Sequence, residues 1–219
     1  MNMNSSSGFC VDLAWVKDAP KQGRSQRKLE QLLDAAEQLL AERRFDELTV
    51  RDLTAAAGCA VGTFYTRFES KDDLLRALYA RYAGSSRLTL AVWSDPERWE
   101  GVALPELVGG LVGFLVADYR ARRGLRRAFD EAMGRDPQLR ELMEALTLDT
   151  VEGLGRLLDA RAAEHRAGEG APAAAFVHRL VFGALDHDLR FDGFPGGHDL
   201  SEAQMTTELT RAVLGWLGA

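Results

Sequence analysis

A short stretch near the N-terminus, residues 55–75, concentrates side chains that can bind anions. It reads AAAGCAVGTFYTRFESKDDLL. Threonine and tyrosine hydroxyls can donate to phosphate oxygens, and an arginine can donate two hydrogen bonds to an acceptor pair such as O6 and N7 of guanine. A lysine in the first turn of a helix adds an ammonium to the free backbone N–H groups there, which together can hold a phosphate. These residue types therefore predict contact with a polyanion.

A long helix should precede this stretch, from Ser25 to the pair Arg43–Arg44. Its apolar residues recur at helical spacing and form one stripe, which should face a core. Phe45 and Leu48 should pack in the connection that follows the helix. The stripe consists of Leu29, Leu32, Leu33, Ala36 and Leu40.

Two capping signals mark the helices around the stretch. Thr49 can cap a second helix, with Asp52 three residues on completing a capping box. Gly58 suits the left-handed residue that closes that helix. Ser70 with Asp73 gives a similar start to a fourth helix.

The third helix is expected from about Ala60 to Phe68, with Phe64 and Phe68 on its buried face. Two short helices joined by a tight turn form a helix-turn-helix, whose second helix enters the major groove of DNA. Gly62 lets the backbone come close to the groove. The face opposite the phenylalanines should present Val61, Gly62, Thr63, Tyr65, Thr66 and Arg67.

Residues 32–78 resemble the N-terminal domain of the TetR/AcrR transcriptional regulators. The matching features are "LDAA", "AERRF", "TVRDLTAAAG", "GTFYTRF" and "SKDDLL". The third helix departs from the family pattern because it opens with "CAV" instead of a serine and a polar residue, so Ala60 cannot cap it by side chain. "ERRF" likewise replaces a more usual glycine before the aromatic residue. The resemblance implies DNA contacts by Thr49, Arg51, Val61, Gly62, Thr63, Tyr65, Thr66, Arg67 and Lys71.

The remainder of the chain is also expected to be helical, at 104–121, 123–133, 138–166, 172–190 and 201–217, with no strand pattern. The predicted fold class is therefore all-α, with an N-terminal three-helix helix-turn-helix DNA-binding domain and a C-terminal helical ligand-binding and dimerisation domain. We expect a flexible leader at 1–23, the DNA-binding domain at 24–72 and the effector-binding and dimerisation domain at 73–219.

The resemblance to the TetR/AcrR family implies that the C-terminal domain binds a small effector and forms a homodimer. The last two helices, 171–189 and 200–219, are expected at the dimer interface, where small residues and leucines such as Leu185 and Leu209 would contact the partner. The alternative is that these helices only close the core of a monomer. Each candidate effector residue could equally be ordinary core packing. The candidates are Trp93, Trp99, Phe114, Tyr119, Phe129, Met143, Thr147, His178 and Phe182.

The charge distribution supports an N-terminal anion-binding segment. The net charge of the chain is −6, but residues 21–81 carry 11 Lys/Arg and 10 Asp/Glu, whereas residues 83–219 carry 15 Arg and 21 Asp/Glu. The basic end of the leader is either a solvated tail or an arm that touches DNA. The run "ARRGLRRAF" is either a solvated face or a link to the DNA-binding head.

Other signals narrow the class of protein. The two cysteines form no disulfide framework, residues 1–20 lack a signal-peptide pattern, and no apolar run is long enough to span a membrane, which together predict a cytoplasmic protein. No catalytic motif is present, so we expect no enzyme and no cofactor. Asp186, His187, Asp188, Asp192, His198 and Asp199 fit no standard metal spacing, so no metal is expected either.

The sequence therefore predicts a DNA-binding transcriptional regulator. The favoured form is a repressor that a small-molecule effector of unknown identity releases from a pseudo-palindromic double-stranded operator. Two alternatives stay open: a helical ligand-binding dimer without DNA-binding activity, and a transcriptional activator of the same fold.

Overall fold

The computed structural model describes residues 23–191, 194 and 196–219. Over these residues the chain forms α-helices and two 3-10 turns, Pro96–Trp99 and Ala162–Glu164, and no strand. The all-α fold class is therefore confirmed. The α-helices are α1 (Gly23–Glu42), α2 (Val50–Ala56), α3 (Val61–Tyr65), α4 (Lys71–Trp93), α5 (Leu104–Ala121), α6 (Arg123–Met133), α7 (Pro137–Asp159), α8 (Gly170–Arg190) and α9 (Glu202–Leu217).

The predictions for the leader before Gly23, and for Asp192 as a metal candidate, lie outside the described residues. Gly23 itself already belongs to α1. No helix in the described part of the chain is both long and apolar enough to cross a bilayer.

The N-terminal head consists of α1, α2 and α3 packed on the start of α4. The whole predicted stripe of α1 is buried, and so are Phe45 and Leu48 in the connection after it. Phe64 and Phe68 are fully buried, with ring centroids 5.4 Å apart. The burial of these two rings fixes which face of α3 remains in contact with solvent.

Local signals set the ends of these short helices as expected. Thr49 and Ser70 each complete a capping box, with Asp52 and Asp73 respectively. Gly58 has a positive φ of 61°, the left-handed conformation that glycine tolerates best. Ala60 begins α3 without a side-chain cap.

Two helix predictions were too long. The third helix was expected to reach Phe68, but it ends at Tyr65, and the Thr66 hydroxyl donates to the Thr63 carbonyl at 2.8 Å in the turn that follows. The helix expected over 138–166 ends at Asp159. The chain turns there because the buried His165 ring bonds the Leu158 carbonyl at 3.0 Å, a tertiary contact within a tight turn that periodicity does not reveal.

Two apolar cores support the molecule. The first joins α1–α4 to α6 and the start of α7, and the second joins α5, the end of α7, α8 and α9. Helix α4 runs from the head into the body without a break. The domain boundary between residues 72 and 73 stays a prediction, since one core extends across it.

Candidate DNA-binding face and effector cavity

Helices α2 and α3 expose residues on both sides of the turn at Gly58. Tyr65 is 52% exposed and Val61 is 39% exposed, although both neighbour the buried Phe64. Gly62 and Thr66 are also exposed to solvent. A Cβ added at Gly62 would meet no atom within 4 Å, so this part of α3 is free to approach another surface closely.

Helix α2 contributes Thr49 and Arg51, which are both exposed beside this face. The Thr49 hydroxyl accepts from the Asp52 amide at 3.1 Å and donates to the Asp52 carboxylate at 2.7 Å. Hydrogen bonds from the Thr49 backbone and hydroxyl lower the pKa of Asp52, and Arg43 lowers it further. The cap is thus held by an ionised carboxylate, which orients the start of α2.

Three predicted contact residues are less open than expected. Thr63, Arg67 and Lys71 are half-buried. In α3 and the turn after it, residues 61, 62, 65 and 66 are exposed and form the open part of the face. Contact with DNA by any of the nine residues stays a prediction.

Lys71 already has partners within the chain. Its ammonium donates to the carbonyl of Phe45 at 3.1 Å and to that of Leu48, and it lies 5.0 Å from the centre of the Phe45 ring. These bonds connect the first turn of α4 to the loop between α1 and α2. Lys71 therefore positions the head, besides any contact it makes with phosphate.

A cavity of about 680 Å³ lies between α4, α5, α6, α7 and α8. Its volume is in the range of small-molecule sites. Eight of the nine predicted effector residues line it: Trp93, Phe114, Tyr119, Phe129, Met143, Thr147, His178 and Phe182. That they bind an effector stays a prediction.

Trp99 does not line this cavity. Its ring stacks on Trp93 at 4.8 Å between centroids, and its Nε1 donates to the Trp93 carbonyl at 2.9 Å. Trp99 therefore packs behind the wall that Trp93 forms.

Sequence reasoning missed the charged part of the cavity wall. Arg126 stacks on the Tyr119 ring, with its guanidinium carbon 3.6 Å from the ring centre, and it donates to Asp118 at 3.0 Å and to the Tyr82 hydroxyl. The Tyr119 hydroxyl donates to Asp186 at 2.7 Å. A signal was present: Arg126 lies three residues before Phe129, on the same side of α6.

His178 forms part of the apolar wall. Its ring stacks on Phe182 with centroids 4.2 Å apart. Burial lowers the pKa of His178 to about 4, with a further contribution from neighbouring Arg179. The imidazole is therefore neutral near pH 7 and behaves as a flat aromatic surface.

Helices α8 and α9 expose an aromatic face on the far side of the body. Phe176 is 41% exposed and Trp216 is 38% exposed, and their rings stack at 4.5 Å. The leucines expected at a dimer interface, such as Leu185 and Leu209, are instead buried in the chain's own second core. That part of the prediction was wrong, because hydrophobicity alone does not distinguish a leucine of the chain's own core from one at an interface.

The comparisons with known proteins agree with this geometry. The family model for bacterial regulatory proteins of the tetR family matches residues 32–78. These are the residues of the helix-turn-helix head, and the head belongs to the TetR family. Among curated relatives, the HTH-type transcriptional regulator YwcC of Bacillus subtilis is 35% identical over 69 residues, which are 32% of this chain and 31% of YwcC.

Two further likenesses cover the head and the whole fold. The HTH-type transcriptional repressor KstR2 of Rhodococcus jostii is 41% identical over 77 residues, 33% of this chain and 37% of that protein. The chain thus matches only about a third of the length of these curated relatives. The solved structure of the fatty acid degradation regulator FadR from Bacillus halodurans matches with a TM-score of 0.68 and 21% identity, covering 90% of this chain and 98% of that one.

Proposed function

We propose that this protein is a transcriptional repressor that binds a pseudo-palindromic DNA operator as a homodimer and is released by a small-molecule effector. The observation that carries the proposal is the open face of α3, where Val61, Gly62, Tyr65 and Thr66 project from a helix anchored by Phe64 and Phe68. A helix with this exposure can enter a major groove. The likeness of the head to a protein named as a repressor supports the direction of regulation.

The residues of the face have separable roles in this proposal. Val61 and Gly62 meet base edges first, and Val61 suits a thymine methyl group. Tyr65, Thr66 and the residues of α2 contact phosphates, which fix the register but carry no sequence information. Arg51 and Arg67 lie at the edges of the face, where each can reach a base or a phosphate.

Two copies are needed to read a two-fold operator. Gly183 lies two helical turns after Phe176 on α8, Gly215 directly precedes Trp216 on α9, and a Cβ at either glycine would meet nothing within 4 Å. A partner's helices could therefore approach α8 and α9 closely, and the stacked aromatic pair supplies apolar area. The dimer would hold two heads about one DNA turn, roughly 34–36 Å, apart.

Release follows from the contacts that join the cavity to the head. Helix α6 lines the cavity through Arg126 and Phe129, and its first turn touches α1 at Gly124 and Leu40. A ligand that shifts α6 would change the spacing of the heads. To take the operator from nearly full to nearly empty, the effector must favour the released form by about 5 kcal/mol. The proposal contains no catalytic step, and its site of action is cytoplasmic DNA.

Fluorescence anisotropy tests the proposal. The purified protein is titrated into labelled DNA from upstream of its own gene, and into a scrambled duplex, at physiological salt. Sub-micromolar binding to the upstream DNA alone, with two or four chains per duplex, is the expected result. Equal weak binding to every genomic fragment would contradict it and favour a ligand-binding dimer without DNA-binding activity, whereas increased transcription on binding would identify an activator.

A further inference from the structure

The cavity has a charged end and an apolar end. Tyr82 and Trp93 line it from the same helix, eleven residues or about 16 Å apart at 1.5 Å per residue. Arginines and aspartates surround the Tyr82 end, whereas the Trp93 end is walled by aromatic and aliphatic side chains. A ligand that fills both ends must be amphipathic. The charged lining residues are Arg122, Arg126, Arg190, Asp118, Asp130, Glu144 and Asp186.

The charged end has one hydrogen-bond donor too many. Arg190 pairs with Asp130 at 3.0 Å, but Arg122 and Arg126 share the single carboxylate of Asp118, at 3.1 and 3.0 Å. The Arg126 side chain is only 11% exposed, and its Nε is buried without a hydrogen-bond partner. Since two arginines that line the cavity share one carboxylate, the complementary ligand atom at this end is an acceptor, and an anionic acceptor fits best.

The two remaining acids of the lining are Glu144, which is exposed, and Asp186, which is half-buried and compensates Arg126 only weakly. Its carboxyl accepts a hydrogen bond from the Tyr119 hydroxyl, and it shares no ion pair shorter than 4 Å in the described part of the chain. Burial raises the pKa of Asp186, which favours its neutral form. This shift weakens, without removing, the repulsion that a ligand anion would meet there.

We infer that the effector is an amphipathic carboxylic acid whose carboxylate binds Arg126 and whose apolar tail extends towards Trp93. The inference rests on the proposed function, since it names the chemical class of that effector. Arg126 lies two residues after Gly124, where α6 touches the head. A carboxylate bound there competes with Tyr82 and Asp118 for the guanidinium, and so acts on the helix that contacts α1.

The apolar end has space for a longer tail. A second, wholly apolar pocket of about 40 Å³ adjoins the cavity and shares His178, Phe182 and Leu154 with its wall. These shared side chains form the boundary between the two spaces. Binding should therefore strengthen with tail length until this pocket is filled.

Intrinsic tryptophan fluorescence of the full chain tests the inference, since Trp93 lines the cavity. The probes are decanoic acid, its methyl ester, decyltrimethylammonium and decanoyl-coenzyme A. The acid should bind about 10- to 100-fold more tightly than the ester, which is what one charge-assisted hydrogen bond contributes. Equal or tighter binding of the ester, the ammonium or the thioester would overturn the inference, as would no binding of any saturated acid from octanoic to octadecanoic.

Variants locate the contact. Arg126→Met should abolish the preference for the acid while ester binding stays the same, and Arg126→Lys should keep part of the preference. Thermal melting checks that both variants fold, and if Arg126→Met does not, the probe series on the unchanged protein decides alone. DNA anisotropy separates the two proposals. Selective acid binding without any effect on operator affinity would support the ligand class but show that the acid is not the effector. Operator binding without any preference for the acid would support the repressor function but overturn the ligand class.

Discussion

At the scale of single residues, Lys71 and Tyr65 should differ although both are expected to contact phosphate. The Lys71 ammonium bonds the carbonyls of Phe45 and Leu48, whereas the Tyr65 ring is 52% exposed. Lys71→Ala should therefore lower the free energy of unfolding by about 1–2 kcal/mol and also weaken DNA binding. Chemical denaturation and anisotropy measure the two effects.

Tyr65→Phe is the matched control for Lys71→Ala. It should weaken DNA binding across all sequences while leaving the unfolding curve unchanged, because only a solvent-facing hydroxyl is lost. An unchanged stability of Lys71→Ala would show that its bonds to the loop carbonyls are energetically negligible.

His178 should make stability depend on pH. Its pKa is about 4 in the folded chain and 6.5 in the unfolded one, so the unfolded chain binds more protons between these values. Stability should therefore fall as pH is lowered from about 6.5 to about 4, and His178→Gln should remove part of that fall. Chemical denaturation of the unchanged protein and of His178→Gln at about pH 8 and pH 5 measures this fall. A difference in packing changes the stability at both pH values, whereas protonation of His178 changes it only at pH 5. An identical pH response of the two would refute the buried, neutral imidazole.

Local rules predicted some residues of the site and not others. The capping boxes at Thr49 and Ser70 and the left-handed Gly58 depend on contacts within a few residues, so the sequence contains them. The partners of Lys71 lie 23 to 26 residues away, and those of Arg126 come from α4 and α5. Such contacts depend on how helices pack, which periodicity does not specify.

At the scale of elements, the contact between α1 and α6 should tolerate no side chain at Gly124. A Cβ there would lie 1.7 Å from the Leu40 carbonyl oxygen and 2.5 Å from its carbon. Both are backbone atoms, so the helices must separate. Gly124→Ala should lower stability by about 1–3 kcal/mol, measured by denaturation, and should change operator affinity because the head shifts on the body.

Gly134→Ala provides the control at the other end of α6. A methyl group added at Gly134 would meet no atom within 4 Å, and the φ of −67° at this position is one that any residue adopts. This variant should match the unchanged protein in both assays. If Gly124→Ala also matched it, α6 would not be the rigid link between cavity and head.

Helix boundaries show the same division between local and distant causes. Helices α5 and α6 begin and end where the sequence indicated; Pro105 lies in the first turn of α5, and Gly134 caps the end of α6. Helix α7 stops seven residues early at a turn held by His165 and by Arg161, which donates to the Val102 carbonyl at 2.8 Å. Both side chains bond to backbone carbonyls outside their own helical turn. The sequence around them is compatible with a helix, so periodicity did not predict the end of α7.

At the scale of the whole molecule, the Phe176–Trp216 pair should hold the dimer together. Both rings are partly exposed on α8 and α9, two helices whose glycines leave room for a partner. A charge at the centre of such an apolar contact typically costs more than about 2 kcal/mol. Trp216→Glu should therefore raise the dimer dissociation constant at least about 30-fold, as sedimentation measures.

The control for this prediction is Leu88→Glu, which places the same charge on α4. Leu88 is 56% exposed, more than either ring of the pair. If exposure of apolar surface alone drove association, Leu88→Glu would weaken the dimer as well. If only Trp216→Glu dissociates the dimer, and its affinity for cavity ligands is unchanged, the interface lies on α8 and α9. A parallel loss of operator binding by this variant would show that the dimer, and not the single head, reads the DNA.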